Sequence, residues 1–173
     1  NAAIINYGVS QLPPGQCYLN VGTWNGFSFL AGMVGNPDKR CIGVDNFTLT
    51  GRGNPREAFL DRFNALKGPQ HQFVESDYAV YLKTQHTAPI GFYFYDGNHE
   101  YGHQLQGLKL AEPFFADGCI IMIDDTNWDA PRQATLDFVE GSAYSYRTLL
   151  DQRVYDDGGH PTFWNGLMIL QRN

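Results

Sequence analysis

Residues 17–28 read CYLNVGTWNGFS. A mostly apolar run enters Gly22, a second glycine follows at position 26, and apolar residues then resume. That order predicts a strand, a tight turn and the start of a helix. The turn is Gly-x-x-x-Gly and not the Gly-x-Gly-x-x-Gly of a dinucleotide fold. Trp24 stands where a pyrophosphate would need glycine in order to approach the backbone. No G-x-x-x-x-G-K-[ST] phosphate loop occurs either. The ligand expected at this turn therefore lacks a diphosphate.

Outward from this stretch the same alternation continues. Strands are predicted at CYLNV (17–21), CIGVD (41–45), HQFVE (71–75), IGFYFYD (90–96) and GCIIMID (118–124), with Gly118 as the turn into the last. Helices are predicted over 26–35, 55–66, 77–84, 98–115 and 131–138, with Pro55 and Pro131 in first turns, where a missing N–H costs nothing. Near-continuous apolar strands separated by helices predict an α/β, doubly wound, mostly parallel sheet. Residues 144–150 and 164–170, joined by the polar loop DDGGHP (156–161), predict an antiparallel C-terminal strand pair, giving seven strands.

The 173 residues suit one domain, 1–173, and the absence of an initial methionine leaves it open to truncation at the N-terminus. With 43% apolar and 17% charged residues the chain is expected to fold into a globular body. A net charge of −6 without any basic run argues against nucleic acid as a partner. No apolar run approaches the ~18 residues of a membrane span, and NAAIINYGVS has no signal-peptide character. Cys17, Cys41 and Cys119, far apart and odd in number, read as buried reduced thiols, which favours a cytoplasmic location.

Ligands of open α/β sheets bind beyond the carboxyl ends of the strands. Those ends carry the glycine turn, then Asp45-Asn46, Glu75-Ser76-Asp77, Asp96-Gly97-Asn98-His99 and Asp124-Asp125. So many acids on one rim repel unless a cation, a hydroxyl-rich ligand or water lies between them. Asp45, 23 positions after Gly22, stands where a carboxylate accepts both hydroxyls of a ribose. A nucleoside without phosphates fits this combination.

Together YLNVGTWNGFS, CIGVDNF, FVESD and FYFYDGNHEYGHQLQGLKLAEPFFADGCIIMIDD resemble the motifs of class I S-adenosylmethionine-dependent methyltransferases. Within these the likeness is to the small bacterial group near the macrolide sugar O-methyltransferases, and it covers residues 16–140. The resemblance implies that the turn, with Gly22, Thr23, Trp24, Gly26 and Ser28, faces the methionine part and ribose of S-adenosylmethionine (SAM). It implies Asp45 and Asn46 at the ribose, Ser76 and Asp77 at the adenine, and Asp96 beside the cofactor. Asn20 stands where many members carry an acid, so it would meet the cofactor's amino group without charge.

Metal-dependent members hold a cation on carboxylates, which implies Asp96, Asp124 and Asp125 as ligands. Oxygen ligands of this kind suit Mg²⁺, which would lower the pKa of an acceptor hydroxyl. His99 is then a candidate general base alongside Asp96. In the macrolide-sugar enzymes an acid two positions after the first metal ligand has that role, and here that position is Asn98. A residue at a helix start, hydrogen-bonded to backbone or cofactor, is the other reading of His99.

His99-Glu100-Tyr101-Gly102-His103 is also a literal H-E-x-x-H, the zinc-binding pattern of metalloproteases. The methyltransferase resemblance explains the neighbouring Asp96, Gly97 and Tyr101, which a zinc helix does not, so the match reads as coincidence. Among other residues, Trp128 is a candidate wall for the acceptor and Arg52 a candidate for an acidic acceptor group. Trp24 and Trp164 share the candidacy of Trp128, with packing the preferred reading of Trp164, and His160 reads as an exposed loop residue. The expected function is SAM-dependent O-methylation of a small hydroxylated acceptor, a sugar or natural product, with metal assistance. The alternative is a non-catalytic SAM-binding module of a larger protein, and a homo-oligomer paired through the sheet edge stays open.

Overall fold

Every residue of β1 (Cys17–Val21) is buried, as a strand covered on both faces requires. On one side β1 pairs in parallel with β2 (Arg40–Asp45), which pairs with β3 (His71–Glu75). On the other it pairs with β4 (Ile90–Tyr95), which pairs with β5 (Phe115–Asp124). β7 (Leu167–Arg172) runs antiparallel beside β5, and β6 (Tyr146–Gln152) runs antiparallel to β7 at the edge. The order β3-β2-β1-β4-β5-β7-β6 is the expected doubly wound seven-stranded sheet, with its switch point between β1 and β4. The computed structural model describes residues 1–48, 54–155 and 159–173. Arg52 lies outside the described residues.

Side chains alternate between two cores. Tyr18, Phe92 and Met122 face the core shared with α1 (Ala2–Ser10), α2 (Phe27–Met33) and α3 (Pro55–Leu66). Leu19, Tyr93 and Ile121 face the core shared with α4 (Tyr78–Thr84), α5 (Tyr101–Ala111) and α6 (Asp129–Gly141). Each large side chain buried this way contributes about 1.5–3 kcal/mol. Local chemistry fixes the helix starts. Asn54 caps α3 by accepting from the Glu57 amide, and Asp77 caps α4 by accepting from Ala79 and Val80. Among the described residues no helix is long and apolar enough to cross a membrane.

Several boundaries differ from the sequence reading. α1 had no counterpart, because its buried pair Ile5 and Val9 spans too short a stretch to establish a period. β5 begins at Phe115, not Gly118. Gly118, at φ 76°, sits in an irregularity where the pairing with β4 shifts from Ile90↔Phe115 to Phe92↔Ile120. α5 starts at Tyr101, not Asn98, because the Asn98 side chain accepts from the Glu100 amide and makes a turn first. The reduced-thiol expectation matches the structure: all three cysteines are free and buried. Burial pushes the Cys17 and Cys41 thiols up to about 12.

Candidate functional site

β1 and β4 lie side by side, and the Asp96 amide donates to the Val21 carbonyl at 2.9 Å. Gly22, next along, has φ 82°, and a Cβ there would lie 2.0 Å from the Asp96 carbonyl oxygen. Only glycine satisfies both constraints. The following residues turn around one carboxylate. Asp45 Oδ2 accepts from the amides of Thr23 (2.7 Å) and Trp24 (2.8 Å), and Oδ1 accepts from that of Phe47 (2.7 Å). Trp24 and Phe47 hold left-handed φ values of 42° and 51°, so Asp45 ties down two strained residues in adjacent loops.

A cavity of about 730 Å³ opens over these strand ends, large enough for a nucleoside cofactor with a small second ligand. Its wall includes Gly22, Trp24, Asp45 and Asn46 on one side, and Ser76 and Asp77 next to them. Asp96, next to Gly22, leads from the glycine turn to His99, Asp124 and Asp125 at the ends of β4 and β5. The remaining residues expected at the cofactor are Asn20, Thr23, Gly26 and Ser28, and they stand behind this wall. Asn20 is fully buried; it accepts from the Tyr18 hydroxyl at 2.8 Å and donates to the Gly22 carbonyl at 2.7 Å. Its work is to brace the turn from beneath. Ser28 is buried, its carbonyl taking the Tyr18 hydroxyl, and Gly26 starts α2 at φ 98°.

The carboxylates at the ends of β4 and β5 crowd one another. Asp96, His99 and Asp125 each offer a ligand atom within 4.8 Å of the other two. His99 Nε2 is 3.0 Å from Asp125 Oδ2 and 3.9 Å from Asp96 Oδ1. Asp124, expected to share the ion, is outside this trio and instead accepts from the Asp125 amide at 3.1 Å. Burial, then the charges of Asp124, Asp125 and Asp45, hold the Asp96 carboxyl well above the usual range. Burial and Asp125 push Asp124 up to about 7. Burial lowers the His99 pKa against the pull of Asp125, whose carboxylate its Nε2 faces. The Trp128 ring stands edge-on to His99 at 5.3 Å.

His103 belongs elsewhere. His99 precedes the first turn of α5 and His103 lies within it, so the two do not grip one ion from a single helical face. His103 Nδ1 meets the Tyr78 hydroxyl at 3.2 Å on the Ser76–Asp77 side of the cavity.

Residues 19–126 match a family described as a methyltransferase domain. The chain belongs to this methyltransferase family. The methyltransferase is similar to an rRNA methylase from Streptococcus thermophilus, at 11% identity over 98% of this chain and 94% of that one (TM-score 0.66). It is similar to CalS11, a TDP-rhamnose 3′-O-methyltransferase of calicheamicin biosynthesis, at 18% identity over 98% and 76% (TM-score 0.64). It is also similar to TomG, an O-methyltransferase from Streptomyces achromogenes in complex with SAM, at 16% identity over 99% and 78% (TM-score 0.67). At these identities the likeness is one of fold, that of the class I SAM-dependent methyltransferases. No curated protein matches the sequence.

Some of the methyltransferase's cavity residues carry no sequence motif. His160, read as an exposed loop residue, is half-buried on the cavity wall, its Nδ1 accepting from the amides of Thr162 and Phe163. Trp164, read as packing, is 60% exposed at the same wall. Asn165 beside it reaches Asp125. These residues come from the segment before β7, which is far from the glycine turn in sequence, and only the tertiary fold brings them to the site.

Proposed function

We propose that the methyltransferase moves the methyl group of SAM to a hydroxyl oxygen of a small acceptor, with a divalent cation assisting. The observation that carries this reading is the Asp96–His99–Asp125 cluster, which opens onto the same cavity as the Gly22 turn and Asp45. The cavity's chemistry fits the cofactor. Asp45 Oδ1 spends one lone pair on the Phe47 amide and keeps acceptor capacity for ribose hydroxyls. Ser76, Asp77 and Tyr78 offer polar atoms for the adenine edge. The Asp96 carboxylate, against the glycine turn, suits the cationic methionine end. When bound, SAM supplies an electrophilic methyl on a sulfonium.

Asp96, Asp125 and His99 would hold the cation, with Asp124 adjacent, and the ion would acidify an acceptor hydroxyl. The imidazole makes the set acceptable to Mn²⁺ as well as Mg²⁺. At the acceptor, a carboxylate of the cluster receives the hydroxyl proton as the oxygen takes the methyl from the sulfonium. Trp128 and Trp164 form walls that orient the acceptor and keep water out. Five aspartates line the cavity, with neither lysine nor arginine among the described lining residues. That balance supports a neutral or cationic acceptor over a phosphorylated one or nucleic acid.

Calorimetric titration with SAM, in Mg²⁺ and again in chelator, tests the cofactor assignment. Micromolar binding is expected in both, followed by methyl transfer to a hydroxylated acceptor that requires the metal. Absence of SAM binding in either buffer would overturn the reading.

A further inference from the structure

The segment before β7 is clasped to the end of β5 by two short hydrogen bonds. The Asn127 amide donates to the Asn165 carbonyl at 2.7 Å, and Asn165 Nδ2 donates to Asp125 Oδ1 at 2.7 Å. The other oxygen of that carboxylate, Oδ2, faces His99 Nε2 at 3.0 Å. We propose that Asn165 is a positioning residue, which fixes the plane of the Asp125 carboxylate and through it the ring orientation and tautomer of His99. The inference rests on the reading of Asp125 and His99 as working groups of the site.

Three features argue for this role over simple loop packing. A carboxylate turns easily about its Cβ–Cγ bond, and pinning one oxygen sets the direction of the other. The orientation of the amide is determined, because Asn165 Oδ1 turned toward a carboxylate would repel it, so Nδ2 must be the donor. The contact also leaves Asn165 Oδ1 buried and unpaired among the described residues, although Asn165 is only 6% exposed. A side chain serving only to join two loops would gain nothing from that, since its backbone carbonyl already holds Asn127.

The clasp is built from backbone that few residues tolerate. Asp125 has φ 56° and Trp164 φ 46°, both left-handed and both next to the contact or part of it. Gly166 has φ 89°, and a Cβ there would come within 2.9 Å of the Asn127 amide nitrogen. These three positions bring Asn165 to Asp125 from a strand end 40 residues away in sequence.

The test is ¹⁵N-edited NMR of the His99 ring in the full chain, which requires neither acceptor nor turnover. In the native protein, kept free of divalent cation with chelator, the two ring nitrogens should have well-separated shifts, with Nε2 protonated and Nδ1 bare. Asn165→Leu, similar in size but without a donor, should draw the two shifts together as tautomers exchange. Its SAM affinity by calorimetry should stay within about twofold of native, because the side-chain hydrogen bond of Asn165 goes to Asp125 and none described goes to Asp45 or the glycine turn. A folded Asn165→Leu protein with unchanged His99 shifts would overturn the proposal. If that variant does not fold, Asn165→Ser, too short to reach Asp125, provides the same comparison. Failure of the native protein to bind SAM would instead strike the functional reading and leave the ring result standing.

Discussion

Gly22 and Asp96 sit on adjacent strand ends so close together that a single added carbon on Gly22 would meet the Asp96 carbonyl at 2.0 Å. The close approach joins the turn expected to carry the cofactor to the carboxylate expected to serve the chemistry. Both edges of the cavity therefore depend on one glycine.

Gly22→Ala should accordingly be the most damaging single-atom change in the site. A left-handed alanine costs about 1–2 kcal/mol, and the backbone clash adds to it by forcing β1 and β4 apart. Urea unfolding should register a loss of at least that size, and calorimetry should register no SAM binding in the fraction still folded. A variant with native affinity would mean that the turn does not border the cofactor.

Asp45→Ala removes the acceptor for three backbone amides and, on the proposed reading, the ribose contact as well. Water can reach part of this site, so the stability loss should be modest, about 1.5–3 kcal/mol. SAM binding should disappear at the same time. Stability falling while affinity held would reduce Asp45 to a loop anchor.

The folded state should also weaken in mild acid through His86, at the rim of the sheet opposite the site. Its ring is buried between the Tyr81 hydroxyl (3.0 Å) and the Ala88 carbonyl (2.8 Å). Burial lowers its pKa below the ordinary 6.5. As pH falls through 6.5 the unfolded chain takes up a proton that the native ring refuses, so stability drops until the lower native value is passed. Above pH 7 both states are neutral and the effect vanishes. Between those limits the slope for one such group is at most about 1.4 kcal/mol per pH unit. His99 is shifted the same way, so the comparison should be made between native protein and His86→Gln, whose urea midpoints should converge as pH falls from 7 to 5.5. Parallel midpoints across that range would rule His86 out as the source.

The sheet and the rim of strand ends around the cavity were legible in the chain because both are written locally. Buried parallel strands leave apolar runs, and a glycine turn followed by an acid at the next strand end leaves a fixed spacing. The end of β4 and the end of β5 were legible as neighbours for the same reason, since a single crossover joins them. The acceptor side was not. His160, Trp164 and Asn165 reach the cavity through an antiparallel strand inserted between β5 and β6, and no short-range pattern encodes which loop an inserted strand will carry. The burial of Asn20 was not legible for a different reason. A strand-end position suggests exposure to the ligand, but the inward pleat and the Tyr18 hydroxyl hold it beneath the turn.

The last prediction concerns which residues hold a cation. The sequence points to Asp96, Asp124 and Asp125, whereas the side chains place His99 with Asp96 and Asp125 and leave Asp124 to one side. The two sets separate cleanly by mutation, with Mn²⁺ as a paramagnetic stand-in for Mg²⁺. Asp125→Asn and His99→Gln should each weaken Mn²⁺ binding, read by electron paramagnetic resonance, at least about tenfold. Asp124→Asn should weaken it less, because its nearest described hydrogen bond is to the Asp125 backbone and its effect on the ion is chiefly one of charge. SAM affinity should survive all three, since Asp45, the glycine turn, Ser76 and Asp77 are untouched. If Asp124→Asn proved the most damaging and His99→Gln were silent, the ion would sit on oxygens alone, and His99 would be left free as the base.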